Sequence, residues 1–126
     1  MMQITNNSPG TALLAFTVMF LPQPVYSQLS EYTVAQLLEP CMEGDNDSRW
    51  GVAAETECEQ YILGFTDAYL LTDASKQDKV CLPPEGNRAD EIRWVFMKWA
   101  HDNYDKRELP AAHGLLEAIK SQFACK

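Results

Sequence analysis

Residues 52–72 read VAAETECEQYILGFTDAYLLT, and the fold turns on how this stretch is read. At 3.6 residues per turn, Cys58, Tyr61, Ile62, Phe65, Tyr69 and Thr72 fall on one stripe, while Glu55, Glu59, Thr66 and Asp73 fall on another. The spacing predicts a long amphipathic helix with Cys58 on its core-facing side. Upstream, Thr33 is placed to cap a helix reaching about Glu43, with Val34, Leu37, Leu38 and Cys41 at helical spacing and Pro40 intruding near its end. Gly44 to Ser48 reads as a turn, and Asp73 to Asn87, with Pro83, Pro84 and Gly86, reads as a loop. A third helix over about Ala89–Asn103 offers Ile92, Val95, Phe96 and Trp99 to the core, and a fourth opens at Pro110 and turns Ala112, Leu115, Leu116, Ile119 and Phe123 inward. No alternating strand pattern interrupts them. The expectation is an all-α fold: a small four-helix bundle, or five helices with short turns, held by two disulfides.

The cysteines carry that meaning only in an exported chain. Residues 1–27 contain no charged side chain, and Thr11–Leu21 is an apolar-to-neutral run of signal-peptide length, too short to span a bilayer. Pro22 and Pro24 follow, then Val25-Tyr26-Ser27, whose Val and Ser suit a signal-peptidase cut. Cleavage is expected near Ser27–Gln28, leaving 28–126 as a single domain without stable membrane association. The leader departs from the usual pattern in having no Lys or Arg ahead of its apolar run.

All four cysteines, Cys41, Cys58, Cys81 and Cys125, lie in that domain, which is small enough for its core alone to be marginal. Four cysteines allow three pairings. Cys41–Cys58 with Cys81–Cys125 is the favoured one, because the first bridge ties consecutive helices and the second ties the loop before the third helix to the C-terminus. A zinc site fits poorly, since there is no CxxC pair and His101 and His113 stand outside any ligand spacing.

All eighteen acids and ten bases also fall in 28–126, giving it a formal charge of −8. That argues against a nucleic-acid partner, whose phosphates demand a basic surface, and suits either a basic protein partner or a solvated acidic surface. Catalytic machinery is not evident. Nucleophilic catalysis needs a Ser or Cys with a histidine held beside it, whereas His101 and His113 sit on helix flanks and the cysteines are better used in bridges. Asp90-Glu91 near a helix start is explained by the helix dipole. No GxSxG, HExxH or phosphate-cradling loop occurs, and no cofactor is implied. A second stripe on the third helix, Trp94, Met97 and His101, carries residue types favoured in protein interfaces, although a wide core face would use the same residues. Gly64, with Leu63 and Asp67, marks either a homodimer contact or close packing within the monomer.

Taken together, Cys58-Glu59-Gln60-Tyr61-Ile62-Leu63-Gly64-Phe65-Thr66-Asp67-Ala68, then Cys81-Leu82-Pro83, then Pro110-Ala111-Ala112 with Leu115, Ala118, Phe123 and Cys125, resemble the Rap/Tai family of type VI secretion immunity proteins. Order and spacing match across almost the whole of 28–126. Ala124 departs from the family's usual proline before the last cysteine, and Pro40 intrudes into the first helix. The resemblance implies a small, non-enzymatic periplasmic protein, often dimeric, that binds a cognate peptidoglycan amidase effector and fills its active-site groove. The candidate contact surface is the connector Asp102–Leu109, with Tyr104, Asp105, Lys106 and Arg107, together with Trp94, Met97 and His101; its acidic residues would speed capture of a basic groove. A periplasmic stress chaperone or envelope binding module would share the size, helices and disulfides.

Overall fold

The computed structural model describes residues 2–4, 9–15, 17, 19, 22, 28–44 and 50–126. The expected cleavage site, part of the apolar run ahead of it and residues 45–48 of the expected turn lie outside the described residues. The helices are α1 (Val34–Glu43), α2 (Gly51–Leu71), a single turn α3 (Ala74–Gln77), α4 (Glu85–Asp102) and α5 (Ala111–Gln122), with a 3₁₀ turn at Tyr104–Lys106. Among the described residues there is no strand, only isolated bridges between Thr33 and Pro110 and between Val80 and Ala124. Nor is any described helix long and apolar enough to cross a membrane.

The start of α1 shows how local sequence sets the scaffold. Gln36 N–H donates to Thr33 Oγ1 (3.3 Å) and Thr33 N–H donates to Gln36 Oε1 (2.9 Å), a reciprocal capping box. The remaining first-turn donors are taken up from elsewhere in the chain: Val34 N–H donates to the Leu109 carbonyl (2.8 Å) and Ala35 N–H to the Arg107 carbonyl (3.0 Å). The connector between α4 and α5 therefore caps α1. Pro40 lies inside α1 without ending it. It cannot donate to the Gln36 carbonyl one turn back, and the Tyr32 hydroxyl donates to that oxygen instead (3.1 Å).

Both expected disulfides are present, Cys41–Cys58 joining α1 to α2 and Cys81–Cys125 joining the strap before α4 to the C-terminus. The second is reinforced by Cys81 N–H donating to the Phe123 carbonyl (2.7 Å) and Cys125 N–H to the Lys79 carbonyl (2.8 Å). The core gathers Val34, Leu37, Leu38 and Cys41 of α1, Cys58, Ile62 and Tyr69 of α2, Ile92, Phe96 and Ala100 of α4, and Ala111, Leu115 and Ile119 of α5.

Several expectations need correction. Thr66, assigned to the polar stripe of α2, is fully buried, its hydroxyl satisfied by the Leu63 carbonyl (3.1 Å); Thr72, assigned inward, is exposed. The loop over 73–87 contains α3, bracketed by Asp73 and Lys79 in the left-handed region (φ 58° and 54°), and Tyr69 clamps it by donating to Asp78 Oδ2 (2.6 Å). α4 begins at Glu85 rather than near Ala89, because Pro84 serves as its cap and Glu85 places a negative charge in the first turn. Arg93 is buried at the heart of α4, paired with Asp90 (2.9 Å) and Glu55 (3.8 Å).

On α5 the buried face turns toward small residues, Ala111, Gly114 and Ala118, while Ala112 and Leu116 are half-buried. The cause is close approach: a Cβ on Gly114 would lie 2.5 Å from Val34 Cγ2 and 2.8 Å from Trp99 Cζ3. Gly64 is the opposite case, since a Cβ there would meet nothing within 4 Å among the described residues, so packing against them does not account for it. Gly114→Ala is accordingly expected to cost about 1–3 kcal/mol through overpacking, and Gly64→Ala to stabilise the monomer by about 0.5–1 kcal/mol through helix propensity. Thermal unfolding of the two variants checks the opposite signs.

Candidate functional site

The period of α4 places Trp94, Met97, Lys98 and His101 at i, i+3, i+4 and i+7, on one face. α1 presents Leu38 and Met42 at i and i+4 toward the same space. With Arg107 from the connector they line a groove of about 340 Å³. Trp94 is 51% exposed and Met42 also 51%, so the apolar wall of this groove meets solvent.

The connector beside it is held firmly. Asn103 closes α4 by donating its backbone N–H (2.9 Å) and its side-chain amide (2.8 Å) to the Trp99 carbonyl. Lys106 turns away from the groove, donating to Glu117 Oε2 of α5 (3.1 Å) and lying 5.8 Å from the Trp99 ring centroid. His113 meets the other oxygen of Glu117 at 3.1 Å. The Arg107 guanidinium carbon lies over the Tyr104 ring, 4.4 Å from its centroid, and Tyr104 itself is 72% exposed. Asp102 pairs with Lys98 at the rim (3.0 Å), while Asp105 is exposed on the 3₁₀ turn.

Of the residues singled out from sequence, the structure thus brings Trp94, Met97, His101 and Arg107 together, sets Asp102, Tyr104 and Asp105 nearby, and commits Lys106 to α5. Leu38, Met42 and Lys98 were missed as groove residues. The i, i+4 relation of Leu38 and Met42 was visible, but Leu38 reads equally well as core.

The Lys106 hydrogen bond, assisted by the charges of Lys106 and His113, holds the Glu117 carboxyl below its ordinary value of 4.5 against some desolvation. A carboxyl lowered in this way stabilises the fold above its unfolded value, and the contribution is lost as pH falls through the lower folded value. Glu117→Gln is therefore expected to remove part of the acid-induced loss of stability below about pH 4.5, a difference readable from denaturant midpoints compared at neutral and acid pH.

A larger cleft, about 420 Å³, lies on the other side of α1 and is walled by Tyr32, Gln36, Glu39, Glu43, Trp50 and Glu57 among others. Burial first, and then the Glu57 carboxylate 3.3 Å away, push the Tyr32 phenol up to about 12. Among the described residues, this cleft is lined by no histidine or cysteine, and no group of three or more His, Cys, Asp or Glu side chains could hold a metal ion. The face over α4 and the connector offers shape and exposed aromatic surface, which is what binding a protein requires.

A family model for Rap1a immunity proteins matches residues 33–125, from the cap of α1 to the last cysteine. The chain belongs to the Rap1a immunity protein family. Comparison with curated proteins and with solved structures finds no match. Membership gives this helical, doubly bridged chain an immunity role, exercised by binding an effector protein, and places the Rap1a match over both disulfides, the groove and the connector together.

Proposed function

We propose that this protein is exported to the periplasm, where residues 28–126 bind a peptidoglycan amidase effector delivered by type VI secretion and occlude its active-site cleft. The reading is supported by the Rap1a match over 33–125 taken with one observation: a tryptophan–methionine groove stands open beside a connector whose backbone is pinned to α1. Occlusion needs no chemistry from the inhibitor. It needs a stiff shape that loses little freedom on binding, and a connector that caps a helix supplies one. Trp94, Met97, His101, Asp102, Tyr104, Asp105 and Arg107 are the contact residues in this reading.

The test is inhibition of a purified cognate amidase on peptidoglycan, together with survival of cells that carry the amidase in the periplasm. The wild-type chain should block hydrolysis at stoichiometric amounts. A variant combining Trp94→Ala with Asp102→Lys and Asp105→Lys should lose that block while keeping its helical spectrum. Unchanged inhibition by the variant would place the interface elsewhere, and hydrolysis by the chain itself would reject passive occlusion.

A further inference from the structure

Three polar side chains line the groove over α4, Lys98, His101 and Arg107, and of these Arg107 has a buried nitrogen that its apolar walls do not explain. Arg107 lines it beside Leu38, Met42, Trp94 and Met97. Arg107 is half-buried, makes no ion pair among the described residues, and has its Nε buried with no hydrogen-bond partner among them. Its one side-chain interaction there is the stack on Tyr104. The neighbouring cations differ: Lys106 is neutralised by Glu117 and Lys98 by Asp102. On a chain of net charge −8, with internal carboxylates for its other cations near the connector, an arginine left with a ring instead of an acid is set up to accept an anion. An apolar wall and an unfilled guanidinium fork in one groove define a composite ligand.

We propose that the groove takes a protein segment in which a carboxylate side chain stands next to a bulky apolar one. The apolar group fills the space between Trp94, Met97, Leu38 and Met42, and the carboxylate accepts from the Arg107 guanidinium. The proposal rests on the immunity reading for its partner, a segment of the effector surface, and adds the chemistry of the contact. It gives Arg107 the role of choosing acidic over neutral or basic segments, since a half-buried cation disfavours any occupant that leaves it unpaired.

The experiment titrates the mature chain, with its disulfides intact, with three N-acetylated tripeptide amides in which leucines flank glutamate, glutamine or lysine, plus decanoate as an apolar carboxylate that is not a peptide. Side-chain resonances of Trp94, Met97 and Arg107 are followed by NMR. The glutamate peptide should shift all three and bind about tenfold more tightly than the glutamine peptide, with the lysine peptide weaker still. Arg107→Gln should erase the preference for glutamate, and Arg107→Lys, which keeps the charge without the planar fork, should retain part of it. Since the Arg107 carbonyl that caps α1 is unaffected by side-chain replacement, both variants should melt close to wild type. Equal binding of the three peptides, shifts confined to other surfaces, binding of decanoate alone, or no binding by any probe overturns the proposal.

Titration against purified amidase effectors separates the two readings. An effector bound by wild type and bound equally by Arg107→Gln rejects the carboxylate contact and spares the immunity reading. About thirtyfold weaker binding by the variant supports both. Groove binding of the glutamate peptide with no amidase bound keeps the contact and rejects the amidase as partner.

Discussion

Replacing Phe96 by alanine is expected to lower the free energy of unfolding by about 3–5 kcal/mol, whereas Trp94→Ala, two residues earlier, should change it by less than about 1 kcal/mol. Two residues along a helix is a rotation of roughly 200°, and it separates core from surface here. Phe96 is fully buried where α4 packs on α1, α2 and α5, so the void left by its ring is bounded by four braced helices that cannot close over it. Trp94 stands half in solvent, and its loss widens a groove that is already open. Binding should respond in the opposite order. In the proposed interface Trp94→Ala is expected to weaken effector binding by about thirtyfold, as for a tryptophan at the centre of a contact, while Phe96→Ala acts only through the folded fraction. Urea unfolding paired with a binding titration reads both quantities, and a Trp94→Ala protein as destabilised as Phe96→Ala would return the groove to the core.

Removing either disulfide should be nearly as costly. The bridges close chain separations of 17 and 44 residues, and on the chain-entropy account they contribute about 3 and about 4 kcal/mol. The paired alanine variants of Cys41 and Cys58 lose more than loop closure, because both sulfurs are fully buried and leave a cavity between α1 and α2. Cys81 and Cys125 are exposed. Thiol–disulfide exchange requires access to a sulfur, so brief treatment of folded protein with a thiol reductant and an alkylating agent should label Cys81 and Cys125 first. Cys41 and Cys58 should be labelled only on the timescale of unfolding. Peptide mass spectrometry gives the order, and early labelling of Cys41 would contradict the burial.

What could be read in the sequence divides along physical lines. The capping Thr33, the inward run of α1, the two bridges and the long α2 rest on local periodicity and chain order, and these agree with the structure. Trp94, Met97 and His101 share a groove because they share a helix face, a relation fixed by spacing alone. The misses need tertiary information. Gly114 lies inward because Val34 and Trp99 come close to its backbone, and periodicity counts a glycine as neutral. Arg93 is buried because Asp90 and Glu55 accompany it, a partnership between two helices that a hydropathy stripe counts as solvent. Thr66 reads as polar, yet it can fold its hydroxyl back onto its own helix. Arg107 was singled out as a connector residue, but its place in the groove follows from how the connector docks on α1.

That docking has a consequence for how the proposed binding surface can diversify. The carbonyls of Arg107 and Leu109 are committed to the first turn of α1, so inserting or deleting a residue between Asn103 and Pro110 would unseat the start of a distant helix along with the proposed contact surface. Side chains such as Tyr104 and Asp105 point to solvent and carry no such duty. A lineage of such proteins tracking a changing toxin would be expected to alter the letters of this segment while keeping its word length.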